Sequence, residues 1–246
     1  MSASRSILTI LSVTISHAAS GQETLFSFGG NANGIAGLES ADLVDNGVTM
    51  SLAVTPVGGV FNENSTSGLG INSRGVTGAI DGSNDKFDVL GGTLAGQSDG
   101  VRFSFDTDGL LTELYFDGVK DESFEFFTLT TPSGVVYSIF DSQIGLRLID
   151  INSVTEPNVT LLSETGGADD DLFGLAIPFA AGEVFTLVYG EYFPEPSDLP
   201  VGFTPDQGNG ARFQGVEIVS VPEPSGLLIA LLTLVAGGLR NACHTC

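Results

Sequence analysis

The sequence predicts an all-β fold: an antiparallel β-sandwich of jelly-roll type, flanked by an N-terminal signal peptide and a C-terminal apolar helix. Three observations predict the sandwich. Apolar residues between 24 and 221 recur at every second position, with no convincing 3.6-residue period. Each run is short and ends at Gly, Pro, Asp or Asn, as strands bounded by turns do. The chain also carries 33 Gly and 17 Phe in 246 residues, enough for many tight turns around an aromatic core.

The elements follow in order. Val48, Met50, Leu52 and Val54 alternate with Thr49, Ser51 and Ala53. Residues 62–84 are rich in Gly, Asn and Ser and read as a long loop. Val101, Phe103 and Phe105 share one face of a strand, and Thr112, Leu114 and Phe116 share one face of the next. Asp106-Thr107-Asp108-Gly109 joins those two, with Gly109 free to take a positive φ, and Asp117-Gly118 repeats the device. Thr131-Pro132-Ser133-Gly134 joins 124–130 to 135–140 with Pro and Gly at the bend. Phe185, Leu187 and Tyr189 again share one face. In the last strand the apolar parity slips from Phe213 to Val216 and Ile218, so a bulge is expected at Gly215. About a dozen such runs suit one sandwich domain over 21–220. Two smaller sandwiches split near 140–160 are the alternative.

Charge and composition exclude several functions. The formal net charge is −22, from 8 Lys+Arg against 30 Asp+Glu. A phosphate-binding surface needs clustered bases, so nucleic acid is not an expected partner. Setting aside Arg5, Arg240 and Glu223 leaves residues 21–220 with 6 basic and 29 acidic side chains. The two His are His17 and His244, the two Cys are Cys243 and Cys246, and Trp is absent. The central domain therefore lacks the parts of a Ser-His-Asp or Cys-His nucleophile, a Cys/His zinc site or a disulfide. The expectation is a protein that is not an enzyme. A carboxylate-based glycosidase or polysaccharide lyase is the catalytic alternative, because it needs only two Asp/Glu across a bond.

Two stretches are candidate binding sites. Asp81, Asn84, Asp85 and Asp88 bring four oxygen-bearing side chains into eight residues, and Ca²⁺ takes six to eight oxygens. A solvated turn is the competing reading. Tyr189, Tyr192 and Phe193 flank a Pro-rich loop, where rings can stack on a sugar. Core packing competes with that. A carbohydrate- or calcium-binding adhesion module is thus an alternative function, with calcium the one candidate cofactor.

Both ends read as targeting segments. Arg5 precedes an apolar run over 7–15, and small residues follow at Ala18, Ala19 and Ser20. This is the layout of a secretory signal peptide, 1–20, cleaved near Ser20. Residues 221–246 form a sorting segment. Val221-Pro222-Glu223-Pro224-Ser225 opens it, an apolar run over 226–239 follows, and Arg240 ends the run. The positive-inside bias would keep Arg240 cytoplasmic. The run has 14 residues, fewer than the ~20 that span a bilayer as a helix. The segment resembles the PEP-CTERM sorting signal of exported bacterial proteins. The middle of the chain is also similar to other exported sandwich modules carrying that signal, through 68–73, Phe87-Asp88 and 103–106. The resemblance implies processing by an exosortase-type membrane enzyme and transient residence in the inner membrane. It further implies a cell-surface or extracellular-matrix destination in a bacterium with an outer membrane, and association with exopolysaccharide or biofilm.

Overall fold

The computed structural model describes residues 21–28, 34–64, 68–82, 85–117, 125–139, 160–165, 170–191 and 210–221. Fifteen strands are formed among the described residues. They are β1 (Gln22–Ser27), β2 (Ser40–Asp45), β3 (Val48–Thr55), β4 (Val60–Asn64), β5 (Gly68–Asn72), β6 (Ala79–Ile80), β7 (Gly91–Gly92) and β8 (Gly100–Phe105). The remainder are β9 (Gly109–Asp117), β10 (Glu125–Thr130), β11 (Val136–Ile139), β12 (Thr160–Thr165), β13 (Asp170–Phe179), β14 (Phe185–Glu191) and β15 (Arg212–Ser220). There is no helix among the described residues. The signal peptide and the apolar C-terminal helix lie outside them.

The strands make two large antiparallel sheets. One has the order β12-β13-β9-β15-β5-β4, with β1 also lying along β15. The other has the order β11-β10-β14-β8-β3-β2. β6 and β7 form a small ladder of their own. Successive strands lie in different large sheets at β1–β2, β3–β4, β8–β9, β9–β10, β11–β12, β13–β14 and β14–β15. β9 pairs with β13, and β8 with β14. Strands on either side of 140–159 therefore share both sheets and one continuous core.

Alternation along each strand builds that core. Val48, Met50, Leu52 and Val54 point inward from β3, and Val101, Phe103 and Phe105 from β8. Every phenylalanine among the described residues is buried. Rings from the two sheets interlock across the midplane. Phe116 of β9 stacks on Phe127 of β10 with centroids 4.5 Å apart, and also meets Phe213 at 5.6 Å. Phe105 of β8 meets Phe26 of β1 at 5.8 Å and Phe179 of β13 at 5.0 Å. Each buried Phe contributes about 1.5–3 kcal/mol by leaving water, and such ring pairs add about 0.5–1.5 kcal/mol.

The bulge expected in the last strand is present. Phe213 pairs with Phe116 and Gly215 with Tyr115, so Gln214 is the extra residue. A second slip between Glu217 and Ile218 inserts Thr112 into β9 and restores the register. Thr112 consequently does not share the inward face of Leu114 and Phe116; Leu111 takes that place. The hairpin over 131–135 also forms as read, with Thr131 N–H donating to Val135 O at 2.8 Å and Gly134 N–H to Thr131 O at 2.9 Å.

Two further local expectations need correction. Gly109 does not adopt a positive φ, because the chain there passes from one sheet to the other rather than folding back. What Gly109 supplies is room: a Cβ would lie 2.8 Å from Val219 O. Residues 62–84 are not one long loop, since β5 lies within them and is buried. The backbone of Asp85 crosses Gly70 so closely that a Cβ there would sit 2.2 Å from the Asp85 carbonyl. Tight β2–β3 pairing comes from Asn46-Gly47, with φ of 49° and 80°, as a two-residue hairpin of the type I′ kind requires.

Phe116 touches rings of both sheets, so Phe116→Ala should cost about 3–5 kcal/mol through the cavity it leaves. Chemical denaturation reads this as a lower midpoint at an unchanged slope. A loss under ~1 kcal/mol would mean that the site collapses onto the hole.

Candidate functional site

The most unusual chemistry lies at one interior end of the sandwich. Apolar alternation should fill every inward position, but here carboxyl groups occupy several of them. Glu125 opens β10 on the inward parity of Phe127 and Leu129, and it is buried. Glu191 closes β14 on the parity of Leu187 and Tyr189, directly opposite Glu125. Asp99 stands immediately before β8 and is 0% exposed. Asp88 is also buried, beside the bridge between Phe87 and Ala211. Asp81 approaches from the end of β6.

Hydrogen bonds tie these groups together. Ser73 Oγ donates to Asp99 Oδ1 at 2.5 Å, and Ser73 N–H to Asp81 Oδ2 at 2.8 Å. Asp88 N–H points at Asp99 Oδ2 over 3.4 Å, and Asp99 N–H donates to Asp88 O at 2.9 Å. Glu125 Oε1 accepts the Gly210 N–H at 2.9 Å. The Tyr189 hydroxyl lies 2.9 Å from Glu125 Oε1 and 3.0 Å from Glu191 Oε1. A phenol has one proton, so both contacts are hydrogen bonds only if one carboxyl carries a proton of its own.

Burial sets where the protons sit. Asp99 is pushed up to about 8, first by loss of hydration and then by the charges of Asp88 and Asp81, although its bond from Ser73 opposes the rise. Glu191 is raised by burial and by Glu125 and Asp88. Burial and the same two glutamates hold the Tyr189 phenol far above its usual range. Low local dielectric makes this many adjacent negative charges too costly, and bound protons are the remedy.

The four residues expected to hold calcium are only partly brought together. Asp81 and Asp88 both border Asp99. Asp85 is drawn away: its Oδ2 takes Arg212 Nη2 at 2.6 Å and its carbonyl takes Arg212 Nε at 3.0 Å. Arg212 also reaches Asp117 Oδ2 at 3.1 Å. Asn84 lies outside the described residues. No three His, Cys, Asp or Glu side chains among the described residues are placed to hold one ion.

Of the three aromatic residues proposed for sugar stacking, Tyr189 is 2% exposed and packs edge-on against Phe127, with centroids 5.6 Å apart. Its ring faces belong to the core, so they offer no platform. Tyr192 and Phe193 lie outside the described residues. In the sorting motif, Val221 is 54% exposed at the end of the body, and its N–H donates to Asp108 O at 2.9 Å. Pro222, Glu223, Pro224, Ser225 and Arg240 lie outside the described residues.

A second carboxylate pair stands on the outer face of the sheet containing β9. Glu113 and Glu217 face each other across β9 and β15. Tyr115 donates to Glu113, and Thr112 Oγ1 lies 3.4 Å from Glu217 Oε1. Burial and the charges of Glu113 and Glu23 raise Glu217. The neighbouring hollow, bordered by Leu25, Ser27 and Tyr115, measures about 220 Å³.

Sequence reading missed Asp99, Glu125, Glu191 and Ser73. A signal existed for two of them, since Glu125 and Glu191 share parity with the apolar side chains of their strands. No protein-family model, curated protein or solved structure matches this chain.

The cluster makes stability fall as pH rises. Unfolded Asp99 ionises near 3.8, whereas the folded residue holds its proton to about 8. Between those values the folded state binds more protons than the unfolded chain, so its advantage shrinks with each pH step. Glu191 acts in the same direction. Asp106, lowered by the Thr49 N–H, acts oppositely, but only below its ordinary value of 3.8. Asp99→Asn cannot ionise and keeps an oxygen for Ser73. Its melting temperature should match wild type near the acid end of this window and exceed it near pH 8. A profile parallel to wild type would remove Asp99 as the controlling group.

Proposed function

We propose that this chain is an exported, non-catalytic protein of the cell surface or extracellular matrix, sorted by its PEP-CTERM-like C-terminal segment and associated with exopolysaccharide. One observation supports this most directly. β1 and β15 pair with each other, Gln22 opposite Ser220. The segments 1–20 and 222–246 are therefore joined to the folded body at one corner of one sheet. Both large sheets close on residues 22–220, so removing either segment would take no described strand. An apolar tail tethered there would hold the body outside the membrane until an exosortase-type enzyme acts. The 29 acidic against 6 basic side chains of residues 21–220 would then keep the released body soluble and repel polyanions.

The jelly-roll topology belongs to the same reading. Its support is the repeated passage between sheets at β8–β9–β10 and at β13–β14–β15. The non-catalytic assignment draws on the lack of His and Cys over 21–220 and on the open setting of the Glu113–Glu217 pair.

Calcium is the second reading for the interior cluster, favoured by the approach of Asp81 and Asp88 to Asp99. We place it behind the proton-bound state because Asp85 is committed to Arg212. Melting with calcium and then with EDTA separates the two. Unchanged curves are expected, and a rise with calcium reversed by EDTA would put the metal first.

The surface reading is tested by intact mass of protein recovered from the surface fraction. The expected species begins near Gly21 and has lost Arg240. Deleting 222–246 should abolish surface delivery. Recovery of the uncleaved chain, or delivery without that segment, would overturn the reading.

A further inference from the structure

The outer face of the sheet β11-β10-β14-β8-β3-β2 differs from the rest of this acidic protein. Its outward positions are mainly Ser, Thr and Ala, because the inward positions of the same strands take the Phe, Leu and Val. Registers place these residues in rows. Ser40 lies opposite Ala53, then Arg102, Thr186 and Thr130. In the next row Asp42 lies opposite Ser51, and Ser51 opposite Ser104. By contrast, the outer face across β1, β15 and β9 carries Glu23, Glu217 and Glu113.

The hydroxyl face is also hollowed. Ser40, Asp42, Ser51, Arg102, Ser104 and Val184 line a shallow trough of about 540 Å³. Arg102 is exposed, and no described residue forms an ion pair with it. In a chain with 30 acidic side chains and 8 basic ones, a guanidinium at a trough with no ion-pair partner among the described residues is a second, separate observation. It presents five N–H donors and no acceptor. Asp42 supplies a carboxylate acceptor on the opposite side, with one oxygen already taking Ser51 Oγ at 2.6 Å. Serine hydroxyls between them both donate and accept.

We propose that this trough binds a neutral polysaccharide chain. The site offers fixed donors, a carboxylate and adaptable hydroxyls over a floor of small side chains, which complements a string of neighbouring sugar hydroxyls. Strands about 4.8 Å apart repeat those groups across the sheet, so an extended polymer meets like partners along its length. The charge balance selects against a polyanion, since one guanidinium faces Asp42 and the field of an acidic protein. The occupant deepens the exopolysaccharide reading above and rests on it.

Affinity electrophoresis of the full chain in mild detergent tests the assignment, with hydroxyethylcellulose and dextran as neutral polymers and alginate as the anionic one. A neutral polymer should retard the protein and alginate should not. Arg102→Ala should weaken the retardation about tenfold, as loss of a charged hydrogen-bond donor does, with the melting temperature unchanged. Ser104→Val should weaken it less. Absence of retardation by both neutral polymers would overturn the proposal, as would preference for alginate. Equal retardation of wild type and Arg102→Ala would remove the trough as the site. Normal surface delivery without retardation overturns the trough alone. Retardation through the trough in a protein whose delivery ignores 222–246 overturns the sorting reading alone.

Discussion

The interlocked phenylalanine layer is the constraint on which the rest depends. Without Cys between 21 and 220, no covalent staple holds the two sheets together. Ring contacts such as Phe116 on Phe127 and Phe105 on Phe179 therefore fix their separation and orientation. A close-packed interior transmits misfit rather than absorbing it. That is why the bulges at Gln214 and Thr112 must cancel: a lasting slip of one residue would turn Phe213 or Leu111 toward water.

The interior carboxylates depend on the same packing. Deep between sheets a carboxylate cannot keep its hydration, so the cluster around Asp99 resolves its charge by holding protons and by accepting hydrogen bonds. The result couples loops that lie far apart in the chain. Ser73, Asp88, Asp99, Glu125, Tyr189 and Gly210 meet through one connected set of polar contacts. Arg212 closes the flank of this end by joining Asp85 to Asp117.

The two outer faces divide the remaining work. One carries opposed glutamates whose repulsion is eased by Tyr115 and Thr112. The other is nearly uncharged and hydroxylated, and the Arg102 guanidinium at its hollow has no ion-pair partner among the described residues. Both chain ends leave from the corner where β1 meets β15.

Sequence alone determined the all-β class, the inward faces of β3, β8 and β14, and the bulge near Gly215, because side-chain direction in a strand follows a period of two. It also determined that no His- or Cys-dependent chemistry can operate within 21–220. Tertiary structure decided what depends on neighbours distant in the chain. The sequence spacing of Asp81, Asp85 and Asp88 suggested one site, yet Arg212, more than a hundred residues later, takes Asp85 out of it. Tyr189 had the composition of a sugar platform, but pairing of β14 with β10 turned its ring into the core. Asp99 became a proton-holding group only because the fold removed its water, and burial of that kind is a property of the packed whole rather than of any local run of residues.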